Sequence, residues 1–107
     1  MILPRATPNS DPSWFGYPIT LREGLPFARE DLTQHLDAAR IGTRLLFGGN
    51  LTRQPYMLDR QFRVSGELAN SDRIMHRTFW IGVYPGLSAA AIDYVLEVIA
   101  AFCRGDR

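Results

Sequence analysis

TFWIGVYPGLSAAAIDYVLEVIAAFCR, residues 78–104, predicts a strand followed by a long helix. Thr78 to Val83 is mostly aromatic or β-branched, which favours an extended conformation. A predicted turn at Pro85-Gly86 follows, and Ser88 then stands where a helix N-cap is expected. From Ser88 to about Arg104 the apolar residues recur at intervals of three and four, the spacing of one helix face. This pattern predicts a helix whose apolar side packs against the strand.

Two more strands are predicted nearer the N-terminus. Residues 14–21, WFGYPITL, are largely aromatic and β-branched, but Gly16 and Pro18 weaken side-chain packing and remove one ladder donor. This segment therefore suits an edge strand or a strand with a bulge. Thr43 to Phe47 is a short, mainly apolar run that ends at Gly48-Gly49, and it predicts the second strand.

Two more helices are predicted. Residues 28–40 place apolar residues on one stripe and order their charges from acidic to basic, which suits the helix dipole. Gly42 is the predicted stop of this helix. Asn70 or Ser71 is the predicted cap of a short helix that contains Ile74 to His76.

The predicted order is strand, helix, strand, long loop, short helix, strand and helix. Helices lying across one face of a small sheet make an α+β two-layer sandwich, and this is the predicted fold class. Residues 1–12 are rich in Pro, Ser and Asn and are predicted to be a linker or a segment that crosses between domains. Residues 13–107 are predicted to form one compact domain.

The composition narrows the class of protein. The chain has 107 residues, of which 46% are hydrophobic, and this is enough for one core and too little for two. Its 12 basic and 11 acidic residues are scattered, so no charged patch indicates a nucleic acid or a membrane surface as partner. Prolines interrupt the N-terminus where a signal peptide needs an unbroken apolar run, so a soluble protein is expected.

The single Cys103 limits the chemistry further. One cysteine cannot form an internal disulfide or a cysteine-based metal site. We therefore expect that the chain binds no metal and that the protein works in a reducing cytoplasm. Cys103 is expected to fill space as a small apolar residue. All 12 basic residues are arginines, and a chain without lysine cannot attach pyridoxal phosphate covalently through one. The sequence contains no Ser-His-Asp order and no phosphate-binding glycine loop. No residue is therefore predicted to be catalytic.

The candidate binding region is GTRLLFGGNLTRQP, residues 42–55. Its paired glycines leave bare backbone, and Asn50, Arg53 and Gln54 then supply a guanidinium and two amides. Such groups suit an anionic, hydroxyl-rich ligand, so a binding loop is one interpretation. The alternative is an ordinary turn followed by a polar loop.

Three residues outside this loop have two interpretations each. Arg44 lies within an apolar strand, where it either faces solvent or takes part in a site, because burying it unpaired is costly. His76 precedes the last strand and is either a partly buried structural group or an acid–base group. Phe15 is either a core or interface aromatic or a residue that flanks a planar ligand.

Three long segments resemble one enzyme family. They are NSDPSWFGYPI at 9–19, RIGTRLLFGGNLTRQP at 40–55 and DRIMHRTFWIGVYPGL at 72–87. Together they resemble the C-terminal quarter of the CDP-4-dehydro-6-deoxyglucose 3-dehydratases. Those enzymes serve 3,6-dideoxyhexose and O-antigen synthesis in lipopolysaccharide, and they fall within the DegT/DnrJ/EryC1/StrS aminotransferase family.

The resemblance implies that the chain is the small C-terminal domain of a fold-type-I pyridoxal-phosphate enzyme, with a mostly antiparallel sheet and helices on one face. In such enzymes the large domain holds pyridoxamine or pyridoxal phosphate and the catalytic histidine, and the small domain closes over the nucleotide sugar. A 2Fe-2S cluster in the large domain, a reductase partner and a homodimer are also implied. The 107-residue chain alone is expected to be inactive.

The resemblance also implies site residues. Phe15 would lie near the cofactor or the sugar, and four residues of the 42–55 region would line the cleft from the small-domain side. The substrate-binding arginine of related folds would correspond to Arg73, His76 or Arg77. The implied substrate-binding set is Phe15, Arg44, Asn50, Arg53, Gln54, Arg73 and His76.

Two alternatives stay open. One is the small domain of a sugar-nucleotide aminotransferase, which would have lysine rather than histidine at the cofactor position of the full-length protein. The other is a stand-alone binding or assembly module that lacks catalysis. Tight binding of CDP-sugars by the isolated chain would favour the module.

Overall fold

The computed structural model describes residues 1–106, which form a three-stranded sheet and three α-helices. Strands and helices follow one another in the predicted order. The long loop contains two short 3-10 turns, Leu51–Arg53 and Pro55–Met57. The other elements are β1 (Tyr17–Thr20), α1 (Arg29–Ala38), β2 (Thr43–Leu45), α2 (Ala69–Arg77), β3 (Thr78–Ile81) and α3 (Ala89–Arg104).

The sheet has the strand order β1-β3-β2, and both outer strands are antiparallel to β3. The aromatic and β-branched run therefore forms the central strand, where its backbone groups pair on both sides. Ile19 of β1 and Leu45 of β2 are both aligned with Phe79 of β3. Pro18 lies on β1, an outer strand, where its missing N–H costs the least. The predicted edge position of this segment is confirmed.

The two faces of the sheet have different surroundings. Phe79 and Ile19 point to the side covered by helices, where they form one core with Leu32 and Leu36 of α1 and Phe102 of α3. Phe79, Leu32 and Leu36 are fully buried. Burying a side chain of this size stabilises a fold by about 1.5–3 kcal/mol. Side chains alternate along a strand, so the neighbouring Trp80 lies on the opposite face. The predicted α+β sandwich is confirmed.

Helix α1 ends earlier than predicted. Its last helical residue is Ala38, and Arg40 rather than Gly42 adopts a left-handed backbone, with φ of 60°. The amides of Arg40 and Ile41 donate to the carbonyls of Asp37 and Leu36, which is the Schellman pattern. Ile41, the residue after Arg40, packs in the core. Burial of Ile41 therefore determines where the helix ends, although the left-handed residue at Arg40 is not a glycine.

The other two helices begin differently. The Ser88 hydroxyl accepts a hydrogen bond from the Ala91 amide at 3.2 Å, which confirms Ser88 as the N-cap of α3. Helix α2 has Leu68 at its N-cap position without a side-chain hydrogen bond, so the prediction of a cap by Asn70 or Ser71 is wrong. The C-terminal end of α2 leads directly into β3 at Thr78.

The N-terminal segment is attached to the sheet at one point. Ile2 and Thr20 exchange backbone hydrogen bonds of 2.8 and 3.0 Å at the outer edge of β1. Met1 packs against the core. The division into a segment 1–12 and a domain 13–107 stays a prediction.

Candidate functional site

The loop from Gly48 to Gln54, here called the glycine loop, lies against α2. Gly49 has φ of 58°, a conformation that residues with a side chain rarely adopt. A Cβ at Gly49 would lie 2.6 Å from Cβ of Met75 on α2, so the loop backbone approaches the helix more closely than a side chain would allow. The glycine is therefore required by both backbone conformation and close contact.

Asp72 on α2 is the anchor of the glycine loop. Its Oδ1 accepts from Asn50 Nδ2 at 2.7 Å and from Arg53 Nε at 2.5 Å, and its Oδ2 accepts from Arg53 Nη2 at 2.7 Å. The two bonds from Arg53 form the paired geometry in which a guanidinium is most specific for a carboxylate. Two of the predicted ligand-binding residues are thus joined to one carboxylate.

Three further hydrogen bonds close the loop on itself. Asn50 is buried, with 3% exposure, and its Oδ1 accepts from the Thr52 amide and hydroxyl at 3.1 and 2.7 Å. Gln54 Nε2 donates to the carbonyl of Gly48 at 2.7 Å. The amides of Asn50 and Gln54 are therefore engaged within the protein and determine the shape of the loop.

The charge of the Asp72 carboxylate is stabilised by its donors. Hydrogen bonds from Arg53 and then Asn50 lower the pKa of Asp72 to about 2. The same contact raises the pKa of Arg53 above its usual value. Asp72 and Arg53 are therefore both ionised at neutral pH. An exposed groove of about 620 Å³ lies beside this pair and is lined by Leu58, Phe62 and Val64.

The second cluster lies on the open face of the sheet, opposite the helices. The Trp80 ring lies 4.7 Å from the Phe15 ring and 5.7 Å from the Phe47 ring, measured between centroids. Trp80 Nε1 donates to the carbonyl of Leu45 at 3.1 Å, which fixes the indole on the sheet. Arg44 is aligned with Trp80 across the strands, and its side chain is exposed beside the indole rather than buried in the core.

This open face is both apolar and accessible. Phe15 and Phe47 are 78% and 77% exposed, which is unusual for phenylalanine in a folded domain. A groove of about 260 Å³ passes between Phe15, Arg44 and Trp80. An aromatic wall beside a guanidinium can hold a ligand with both a flat apolar part and an anionic part.

The remaining two predicted site residues lie on α2. Arg73 is exposed and donates to Asn70 Oδ1 at 3.3 Å, within its own helix. His76 is exposed, which removes the interpretation as a partly buried structural histidine. His76 lines a small cavity of about 140 Å³ together with Phe47, Gly48 and Gln54. Phe47 also contacts Trp80, so this residue joins the glycine loop to the open face.

Sequence reasoning missed two residues of this region. Asp72 accepts from two predicted site residues, and its signal in the sequence was only its place at the start of the 72–87 segment. Arg29 at the start of α1 donates from Nη1 to the carbonyl of Met75, and its buried Nε has no hydrogen-bond partner among residues 1–106. Arg29 thus connects α1 to α2, the helix against which the glycine loop lies.

Within residues 1–106, no three or more His, Cys, Asp or Glu side chains are grouped in a way that would hold a metal ion. No described helix is both long and apolar enough to cross a membrane. Cys103 is exposed, so its predicted role as an apolar filler is wrong.

The sequence matches the DegT/DnrJ/EryC1/StrS aminotransferase family over residues 2–100. The chain is 58% identical over 100 residues to the lipopolysaccharide biosynthesis protein RfbH of Salmonella typhimurium, which covers 94% of this chain and 23% of that protein. It is 52% identical over 102 residues to the dTDP-4-dehydro-2,6-dideoxy-D-glucose 3-dehydratase of Saccharopolyspora spinosa, covering 95% and 22%. The chain spans less than a quarter of the length of these curated relatives.

Solved structures share the fold. E. coli GDP-4-keto-6-deoxy-D-mannose-3-dehydratase with bound hydrated PLP superposes with a TM-score of 0.80 at 22% identity, covering 92% of this chain and 25% of that one. A GDP-4-keto-6-deoxymannose-3-dehydratase with a trapped PLP-glutamate geminal diamine gives 0.77 at 22% identity, covering 91% and 25%. With the family match extending over nearly all of its residues, this chain belongs to the DegT/DnrJ/EryC1/StrS aminotransferase family.

Proposed function

We propose that the chain is the substrate-closing C-terminal domain of a pyridoxamine-phosphate-dependent CDP-4-dehydro-6-deoxyglucose 3-dehydratase. The reaction removes the C3 hydroxyl of the sugar during 3,6-dideoxyhexose and O-antigen synthesis. The observation that carries the proposal is the similarity to the Salmonella lipopolysaccharide biosynthesis protein over almost the whole chain. The domain is inactive alone, because the catalytic base and the cofactor site belong to a large domain.

The open face of the sheet supports a domain that closes on another body. Phe15 and Phe47, which lie against Trp80 on this face, are exposed, and Trp80 itself is half-buried. Exposed aromatic side chains grouped in this way mark a contact surface, since isolated domains rarely leave them in water.

The accessible residues of the predicted set are the ones proposed to meet the substrate. Phe15 and Arg44 would contact the sugar nucleotide from the open face, and Arg53, Arg73 and His76 from the side of α2. All five have exposed side chains. Asn50 and Gln54 would contribute through the shape of the glycine loop, because their amide groups are engaged in it.

The cofactor would be held mainly by the large domain. Pyridoxamine or pyridoxal phosphate supplies the electron sink of the reaction when bound there. The residues of this chain fit a non-covalent role beside it, because the chain has no lysine and its arginines are suited to anionic groups. The aromatic face would exclude water from the closed cleft.

The remaining partners belong to the longer protein. We propose a cytoplasmic homodimer that acts with a reductase and carries a 2Fe-2S cluster in its large domain. Cys103, the single cysteine here, is exposed on α3 and would not serve as a cluster ligand. No nucleic acid and no membrane takes part in the proposed reaction.

A chimera tests the proposal. This chain replaces the C-terminal quarter of RfbH, and loss of the C3 hydroxyl from CDP-4-dehydro-6-deoxyglucose is followed by mass spectrometry. We expect turnover by the chimera with pyridoxamine phosphate and none by the 107-residue chain alone. Conversion by the isolated chain, or a folded and cofactor-loaded chimera without turnover, would contradict the proposal.

Matched variants locate the substrate contacts. Arg44→Gln in the chimera should raise KM for the sugar nucleotide, whereas Arg104→Gln, an exposed arginine bonded to Asp106, should leave it unchanged. Equal effects of the two variants would argue against a substrate role for the open face.

The two rival functions have their own tests. An aminotransferase would have lysine rather than histidine at the cofactor position of the full-length protein, and that full-length protein would yield an aminosugar from the 4-keto sugar with glutamate as donor. A stand-alone module would bind CDP-sugars tightly by itself, which calorimetry with the 107-residue chain would detect.

A further inference from the structure

The glycine loop has little apolar anchorage of its own. Leu51, the one large apolar residue within it, is 57% exposed. The only buried residue of the loop is Asn50, a polar one. A loop without buried apolar side chains depends on polar contacts for its order. The polar contacts of the glycine loop therefore show which residue keeps the loop in place.

Most of the polar contacts between the loop and the rest of the domain converge on one carboxylate. Asn50 and Arg53 donate three hydrogen bonds to Asp72. Asn50 is the N-cap of the 3-10 turn Leu51–Arg53, and Arg53 is its last residue. The start of the turn is thereby fixed through Asn50 and its end through Arg53. The close contact of Gly49 with Met75 places the loop on the same helix.

The same carboxylate determines how Arg53 faces solvent. Asp72 occupies Nε and Nη2 of the guanidinium, and Nη1 has no hydrogen-bond partner among residues 1–106. The Arg53 side chain is 57% exposed. A guanidinium held along one edge has lost much of its side-chain freedom before a ligand arrives, so less entropy is lost on binding.

We propose that Asp72 is a positioning residue: it orders the glycine loop and orients Arg53 so that Nη1 is presented to an anionic group of the substrate. The anionic group is the diphosphate of a nucleotide sugar, and this part of the inference rests on the proposed function. Asp72 itself does not contact the substrate. Its removal should disorder the loop while leaving the core of the domain intact.

Amide hydrogen exchange of the 107-residue chain tests the ordering. The amides of Thr52, Arg53 and Gln54 donate hydrogen bonds within the loop and serve as reporters. In Asp72→Asn they should exchange roughly tenfold faster, since charge-assisted hydrogen bonds are lost. The amides of α3 should be unchanged. Asp93→Asn, which alters an exposed carboxylate on α3, should affect none of the three reporters.

Two outcomes would overturn the ordering role. One is unchanged exchange of the three reporter amides in Asp72→Asn. The other is unchanged exchange of the same amides in Arg53→Gln. This substitution is at a solvent-exposed side chain and removes the paired bonds to Asp72 without changing a residue of α2. If Asp72→Asn proves too unstable to measure, Arg53→Gln alone decides the question.

Kinetics of the RfbH chimera test the orientation of Arg53. Asp72→Asn should raise KM for the nucleotide sugar several-fold and leave kcat within about twofold, because the substrate contact is weakened and the chemistry is elsewhere. A purely structural role would lower the active fraction, and hence the apparent kcat, without changing KM; that result would refute the positioning role. If the chimera has no activity, the proposed function fails, while the exchange experiment still decides whether Asp72 orders the loop.

Discussion

The Cα of Gly49 lies so close to Met75 that an added Cβ would be 2.6 Å from the Met75 Cβ and 2.9 Å from its Cα. The second of these atoms is backbone, so α2 cannot move a side chain aside to make room. The glycine loop therefore keeps its place only with a residue that lacks a side chain.

Gly49→Ala should destabilise the domain by about 1–3 kcal/mol, because overpacking against α2 adds to the strain of a positive φ. Urea denaturation followed by tryptophan fluorescence measures the change. Gly42→Ala is the control, since no atom lies within 4 Å of its added Cβ. Similar stabilities of the two variants would show that the loop relaxes away from the helix.

Ser88→Ala should lower the free energy of unfolding by about 1 kcal/mol, because the Ala91 amide loses its acceptor at the start of α3. Thermal unfolding monitored by circular dichroism detects a loss of this size. Ser71→Ala is the matched control: Ser71 lies inside α2 rather than at its cap, and the change should be neutral or slightly stabilising. A larger loss for Ser71→Ala than for Ser88→Ala would reverse the assignment of the caps.

Arg40→Gly should stabilise the domain by up to about 1 kcal/mol. Arg40 has φ of 60°, which costs energy in any residue with a Cβ and none in glycine. The gain is reduced by the greater freedom of glycine in the unfolded chain. Gln34→Gly, at an exposed position in the middle of α1, should destabilise by about 0.5–1 kcal/mol in the same denaturation assay. Destabilisation by Arg40→Gly would mean that the arginine side chain contributes more than its backbone strain costs.

The contribution of Asp72 to stability should depend on pH. Its pKa is about 2 in the folded domain and 3.8 as a reference for the unfolded chain, so the folded state favours the ionised form. The stabilisation is then fully present above the reference value and is lost as the pH falls through about 2. The difference in unfolding free energy between wild type and Asp72→Asn should shrink over this range. A difference that stays constant with pH would exclude ionisation of Asp72 as its cause.

Much of the fold was accessible from the sequence because the signals are local. The apolar spacing after Ser88 predicts α3, and the aromatic run from Thr78 predicts a strand, which the structure places at the centre of the sheet. Pro18 predicts that its strand lies at an edge. The end of α1 was misplaced because the stop signal, a left-handed residue, is occupied by Arg40, whose conformation depends on the burial of Ile41 in the core.

Only part of the candidate site could be predicted from the sequence. Asn50, Arg53 and Gln54 were recognised as polar groups beside glycines, and Phe15 and Arg44 through a resemblance to one enzyme family. The role of Asn50 and Arg53 in anchoring the loop was not visible, because Asp72 lies 22 residues from Asn50 and 19 from Arg53 along the chain.

Local propensity and the spacing of apolar residues were sufficient for the elements, their order and the α+β class, since each depends on neighbours within a few turns of chain. The family was indicated separately, by the resemblance of three long segments. The convergence of Asn50 and Arg53 on Asp72, the fit of Gly49 against Met75 and the grouping of Phe15 with Trp80 arise only when distant segments pack together. Hydrogen bonds and van der Waals contacts act over a few ångströms, so such partners are chosen by the folded geometry and leave no pattern along the chain.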